Sequence, residues 1–174
     1  MKKQISQTFF TQLDSPVGSL FLTSDGEAIT GLFMEQHKGG PKPFDLWRRN
    51  DAPFREAARQ LRAYFAGDLR EFDLPLSTPG ASFQQSVWAE LRKIPFGSTT
   101  TYGAIAKRLG NPNASRAVGA ANGSNPISII IPCHRVVGSN KQLTGYGGGI
   151  ERKKFLLEFE SDILAKERVR KRRK

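Results

Sequence analysis

The run Ile131-Pro132-Cys133-His134-Arg135-Val136-Val137 sets the only cysteine of the chain directly beside one of its two histidines and next to an arginine. A lone cysteine is more often a small buried hydrophobe than a nucleophile. Here the flanks favour the nucleophile: Pro132 stiffens the approach and lacks an N–H, and a cationic neighbour stabilises thiolate, the reactive form. Adjacent residues of an extended chain point to opposite sides, so thiol and imidazole are poorly placed for the direct bond of a cysteine hydrolase. A bridging water would reconcile them. The absence of a nucleophile elbow argues further against a hydrolase.

These groups have to be carried by particular elements. Ile127 to Ile131 is a nearly continuous apolar run, expected as a buried strand or extended segment that delivers Cys133 from the core. Asn125-Pro126 before it should hold an extended turn. A last helix is expected from about Ile150 to Leu164, with Leu156, Phe159 and Ile163 as its apolar stripe. Glu160 falls on that same face. A buried carboxylate needs a partner, either an ion pair with some Lys or Arg, or His134 in a proton relay. Between these elements lie a turn at Gly138-Ser139-Asn140 and the cluster Gly145-Tyr146-Gly147-Gly148-Gly149. Such a cluster is either a flexible loop or a place where backbone amides approach a planar ligand closely.

Upstream, Ser82-Phe83-Gln84-Gln85 reads as a capping box opening a helix with Val87, Trp88 and Leu91 on its apolar side. Tyr102 to Leu109 and Ala114 to Asn122 follow as two short helices joined through Gly110-Asn111-Pro112-Asn113, the outline of a helix-turn-helix. The second helix has few groups able to read base edges. Its Ala117, Gly119, Ala120 and Ala121 serve either tight helix packing or a close approach to nucleic acid. The first third reads as an antiparallel meander of Thr8 to Leu13, Ser19 to Thr23 and Glu27 to Phe33, separated by glycine turns. Residues 35 to 50, with Gly39, Gly40, Pro41 and Pro43, read as a loop that leaves His37 solvated. A helix should then start with Asp51 as N-cap and Pro53 in its first turn, and end before Gly67. Phe54, Ala57, Ala58, Leu61 and Phe65 form its stripe. Pro75, Pro79 and Gly80 mark the boundary between an N-terminal sheet-and-helix domain, 1–80, and a mainly helical domain, 81–165, within an α/β (α+β) fold.

Composition narrows the class. A chain of 174 residues, 38% of them hydrophobic, can bury a substantial core. One cysteine excludes internal disulfides and multi-cysteine metal sites, and fits a reducing compartment. No apolar run approaches the ~20 residues that span a bilayer and no signal-type block follows the N-terminus, so a soluble intracellular protein is expected. The net charge of +11 invites nucleic acid, yet residues 166–174 alone supply +6 of it. That basic tail is expected as a solvated, disordered arm that could add sequence-independent phosphate contacts.

Ile131 to Val137 matches the acceptor-site signature of the O6-alkylguanine-DNA alkyltransferases, and the resemblance runs from about Phe83 to Glu160, without a gap after Tyr102. Residues 1 to 80 resemble the family's ribonuclease H-like N-terminal domain only loosely. The resemblance implies direct reversal of DNA damage. The alkyl group of O6-alkylguanine, with O4-alkylthymine as a further substrate, passes irreversibly to Cys133 after the base is flipped out. The product is a thioether, which thiol exchange does not undo, so each molecule acts once. In the same way the resemblance implies a relay of Glu160, His134, water and Cys133, with Asn125 bracing the active-site turn. Tyr102 would help rotate the nucleotide and donate to the leaving guanine, and Arg116 would fill the vacated stack. Val136, Tyr146 and the glycine loop would wall the base pocket. Gly147 stands where some relatives place a hydroxyl residue, so only its amide could contact O6 and bulkier alkyl groups could enter. Gln84, Asn111 and Ser139 match looser phosphate-contacting positions. Relatives lay the second helix in the minor groove of double-stranded DNA with little sequence preference, act as monomers and can bind cooperatively, and work in the cytoplasm on the nucleoid. No cofactor is expected. Some members hold a zinc through N-terminal cysteines that this chain lacks, so no metal is expected. Non-catalytic alkyltransferase-like sensors lack the cysteine, and regulatory relatives carry a cysteine-rich domain absent here.

Overall fold

Three β-prone runs broken by glycine turns fold as an antiparallel meander, β1 (Phe9–Leu13), β2 (Leu20–Ser24) and β3 (Ile29–Met34). The structure is a computed structural model that describes residues 7–37, 40 and 47–173. Gly18 at φ 95° and Gly26 at φ 103° form the two turns, a backbone region that side chains resist. A two-residue strand, β4 (Arg48–Arg49), lies parallel beside β1, so the sheet order is β3-β2-β1-β4. Part of the expected 35–50 loop is therefore strand, while Gly39, Pro41 and Pro43 lie outside the described residues.

Asp51 does not cap the next helix. Its backbone is already helical (φ −80°, ψ −16°), and its carboxylate accepts from the Thr11 hydroxyl at 2.6 Å. A 3-10 turn at Ala52–Phe54 intervenes before α1 (Arg55–Ala66), which ends at Gly67 with φ 83°. The inner face of α1 includes Ala57, Leu61 and Tyr64, packed in one core with Leu22 and Leu32 of the sheet. The segment after it is bonded to β3, since Ile29 N donates to Pro75 O at 2.9 Å and Ser77 N to Ile29 O at 2.9 Å.

The remaining elements are α2 (Ser82–Arg92), β5 (Thr100–Thr101), α3 (Tyr102–Arg108), α4 (Ser115–Gly123), β6 (Val136–Val137) and α5 (Ile150–Arg172). The capping box is half made: the N-cap is Ala81, whose N–H donates to Gln84 Oε1 at 2.9 Å, and alanine has no hydroxyl to return the bond. The last helix runs to Arg172 instead of stopping near Leu164. No Gly or Pro follows to end it, and Arg170, Lys171 and Arg172 in the last turn complement the helix dipole. Glu167 on the extension pairs with Arg70. One continuous apolar core joins Leu22, Leu32 and Leu61 to Trp88, Ile105, Val118 and Leu156. Among the described residues no helix is long and apolar enough to cross a membrane.

Candidate active site

The segment that delivers Cys133 is a turn, not a strand. Only Ile127 pairs with the sheet, through Leu32 N to Pro126 O at 2.9 Å and Ser128 N to Leu32 O at 3.1 Å. The chain then doubles back with Ile129 at φ 69°, a conformation costing a branched residue on the order of 1 kcal/mol or more. Asn125 holds the turn. Its Oδ1 accepts from Ile127 N at 3.1 Å and its Nδ2 donates to Ile131 O at 2.9 Å, all of it buried. Apolar periodicity could not reveal this, because the decisive bonds come from a side chain outside the run. Cys133–Arg135 next forms a 3-10 turn, so thiol and imidazole are not on opposite faces of an extended chain. Both are buried.

The 3-10 turn aims two side chains at one carboxylate. His134 Nε2 lies 2.9 Å from Glu160 Oε1. Arg135 donates Nε to Oε2 at 3.0 Å and Nη2 to Oε1 at 2.9 Å, and its Nη1 reaches Ile94 O at 2.7 Å. Gly97 N donates to Oε2 at 2.8 Å, and the Tyr64 hydroxyl donates to Oε1 at 2.7 Å. The two readings of Glu160, ion pair and imidazole partner, hold together. A carboxylate only accepts, so the His134 proton is assigned to Nε2. Nδ1 is thereby left as an acceptor, buried and without a hydrogen-bond partner among the described residues.

Burial dominates the electrostatics. It pushes the Cys133 thiol above its usual value, against the opposing pull of Asn125, Ser128 and the charge of Lys153. The resting sulfur is therefore neutral, and the flanks alone do not produce thiolate. Arg135, spent on Glu160, is not the cation that serves it. Lys153 is: this buried side chain donates Nζ to Thr144 O at 2.8 Å, and desolvation lowers its pKa to about 8 against the attraction of Cys133. Burial also lowers the His134 value, although Glu160 pulls it up. Glu160 sits below the ordinary carboxylate range, since hydrogen bonds from His134 and Arg135 outweigh the cost of its burial. Lys153 and Tyr64 escaped the sequence reading, yet a signal existed: Lys153, Leu156 and Glu160 share one helix face, as do Leu61 and Tyr64.

Tyr102, Arg116, Gly119, Ser139 and Thr144 line one surface cleft of about 490 Å³. Thr101 caps α3 by accepting from Ala104 N at 3.1 Å, and Thr144 donates to the Tyr102 hydroxyl at 3.2 Å. On α4, Val118 and Ala121 are inside while Arg116, Ala117 and Ala120 are exposed, so only part of the small-residue pattern serves packing. Asn111 lies exposed between α3 and α4. Val136 is buried on β6, paired with Thr100. Both ends of the Gln84 amide are engaged, the oxygen by Ala81 N and the nitrogen by Ser124 Oγ at 2.8 Å. The hydroxyl of Tyr146 is buried, and burial together with Cys133 raises its pKa well above 10. His37 is half-buried and packed, not a freely solvated loop side chain. The turn after β3, with His37 N bonded to Met34 O at 3.1 Å, lays its ring edge-on to Phe33 and against Gly147. A side chain at 147 would collide with that imidazole, so the space beside this glycine is filled.

A buried sulfur backed by an imidazole–carboxylate pair, with a helix-turn-helix alongside, defines an α/β protein built to present one cysteine beside a nucleic-acid-binding motif. The family model of the 6-O-methylguanine DNA methyltransferase ribonuclease-like domain matches residues 8–78, and that of the DNA binding domain matches residues 82–162. The methylated-DNA–protein-cysteine methyltransferase of Methanosarcina acetivorans is 52% identical over 153 residues, covering 87% of this chain and 97% of the relative. That of Mycobacterium bovis is 50% identical over 151 residues, covering 87% and 91%. The solved structure of Mycobacterium tuberculosis OGT in complex with DNA superposes with a TM-score of 0.83 at 48% identity, covering 89% of this chain and 94% of that one. The chain belongs to the 6-O-methylguanine DNA methyltransferase family, and is a transferase.

Proposed function

We propose that this protein repairs DNA by moving a methyl or other alkyl group from O6 of guanine to Sγ of Cys133, once per molecule. The observation that carries the reading is the Glu160–His134 contact of 2.9 Å immediately behind the only cysteine. The neutral thiol passes its proton through a water to Nδ1 of His134. The imidazolium is held by Glu160, and Lys153 supports the thiolate. Sulfur attacks the alkyl carbon, the S–C bond forms as the C–O6 bond breaks, and the departing guanine is met by a hydrogen bond or proton from Tyr102. Because the acceptor is buried, the nucleotide has to leave the stack, at a cost of roughly a few kcal/mol. Arg116, exposed at the start of α4, would then fill the gap.

The partner is duplex DNA, bound in the minor groove by α4 as a monomer, with little sequence preference. That fits a helix whose exposed side chains beside Arg116 are alanines, which cannot read base edges. Asn111 and Ser139 contact phosphates; Gln84, whose amide is engaged, does so less readily. O4-alkylthymine presents an equivalent carbon and is a further substrate. The test is incubation with an O6-methylguanine oligonucleotide followed by peptide mass analysis. One methyl per chain on the Cys133 peptide is expected, whereas turnover beyond one equivalent, or an unmodified peptide, would overturn the reading.

A further inference from the structure

We propose that Tyr64, on α1 of the N-terminal half, is a positioning residue for alkyl transfer, its hydroxyl fixing the oxygen of Glu160 that carries His134. This rests on the transfer reading above and extends it to a helix of the N-terminal half. The hydroxyl donates to Oε1 at 2.7 Å, and His134 Nε2 meets that same oxygen at 2.9 Å. Tyr64 and Glu160 are both fully buried. The other donors to the carboxylate, Arg135 and Gly97, come from the C-terminal half and orient the group from its guanidinium side. Tyr64 is the donor that arrives from across the core, 96 residues away in sequence.

The ring is held independently of its hydroxyl. Phe65, Phe72, Phe96 and Phe159 surround it at centroid distances of 5.1 to 5.9 Å. Packing alone would be satisfied by a phenylalanine. A tyrosine in this cage means that an O–H is aimed at a buried anion, and its proton stays on, because burial and Glu160 raise its pKa well above 10. The donation does two things. It fixes where Oε1 sits, and so the direction in which the imidazole presents Nδ1. It also spreads the carboxylate charge, moderating the pull of Glu160 on the imidazolium. The charged and titratable groups facing His134 are Glu160, Arg135 and Lys153, and those facing Tyr64 are Glu160, Arg135 and Tyr146.

The experiment compares Tyr64→Phe with Phe65→Leu, which loosens the same cage and keeps the hydroxyl. Single-turnover transfer from an O6-methylguanine duplex at saturating DNA is measured across pH, and the His134 ring nitrogens are titrated by 15N NMR in a His37→Gln background, where no other histidine remains. Loss of a charge-assisted bond predicts that Tyr64→Phe transfers roughly three- to tenfold more slowly. Its carboxylate, less neutralised, should make His134 titrate at higher pH and move the acid limb of the rate profile the same way. Phe65→Leu should lower the melting temperature with both titrations unmoved. Transfer at the wild-type rate in folded Tyr64→Phe, or a slower rate with an unshifted His134 titration, would overturn the proposal. Absence of transfer by the wild-type protein would instead overturn the function proposed above, and the His134 titration would still test the contact.

Discussion

Replacing Glu160 with glutamine keeps the shape of the relay and removes its charge. Arg135, only 5% exposed, then has no anion to neutralise it. Breaking a buried ion pair by deleting one partner costs about 3–5 kcal/mol, which for a chain of this size lowers the melting temperature by about 6–20 °C. The chemistry suffers separately. A glutamine that turns its oxygen toward Arg135 presents an N–H to Nε2 of His134, so the imidazole proton moves to Nδ1 and the acceptor atom is lost. General-base assistance is worth about 10²–10⁴ in rate, and single-turnover transfer at saturating DNA should fall within that range. The double variant Arg135→Met, Glu160→Met separates the two effects, because removing both charges should restore much of the stability and none of the rate. Acid titration adds a sign. The folded-state value of Glu160 lies below its ordinary 4.5, so its contribution is present above that pH and disappears as pH falls through the folded-state value. Glu160→Gln should flatten that part of the stability profile. Wild-type transfer in Glu160→Gln, or a melting temperature within ~2 °C of wild type, would refute this account of the site.

Asn125→Ala leaves Ile127 N buried without a partner and removes one of two bonds to Ile131 O, which keeps the one from Cys133 N; urea unfolding should show a loss of about 1–3 kcal/mol, with slower transfer as the turn slackens. Lys153→Met removes the cation facing the thiol, so the thiol pKa rises, transfer near pH 7 slows, and the deficit should close at alkaline pH in a pH–rate series. Deleting 166–174 should reduce the slope of log affinity against log salt by about 0.9 for each phosphate that the arm neutralises, while transfer at saturating DNA is unchanged. In a melting scan the same deletion should cost little, because the Arg70–Glu167 pair is exposed.

The cluster of Cys133, His134 and the buried carboxylate was legible, because each member is chemically conspicuous: one cysteine, a histidine beside it, and a charge on an apolar helix face. The meander and the helix-turn-helix were legible for a different reason, since glycine turns and apolar periodicity are local signals. The failures have two causes. Asp51 left its expected cap for Thr11 on the sheet, the N-cap of α2 fell on Ala81, which has no hydroxyl, and His37 was drawn over Gly147 by the turn after β3. The Ile127 to Ile131 run curled because Asn125, outside it, bonded across it. Asp51 and His37 answer to partners that no window of neighbouring residues contains, whereas the cap shift and the Asn125 bonds are local but carry no signal in apolar periodicity.

The sequence by itself determined which residues could carry the proposed chemistry and where along the chain they stand, because a thiol and an imidazole are residue types, and types are written in order. Tertiary structure decided which cation serves the sulfur and which merely neutralises the carboxylate, sending Lys153 to one and Arg135 to the other. It also decided that the thiol is buried, which pushes its pKa up, and that a tyrosine from the far half of the chain donates to Glu160. These are questions of distance and burial between residues up to 96 positions apart, and desolvation acts only once the core around them has closed.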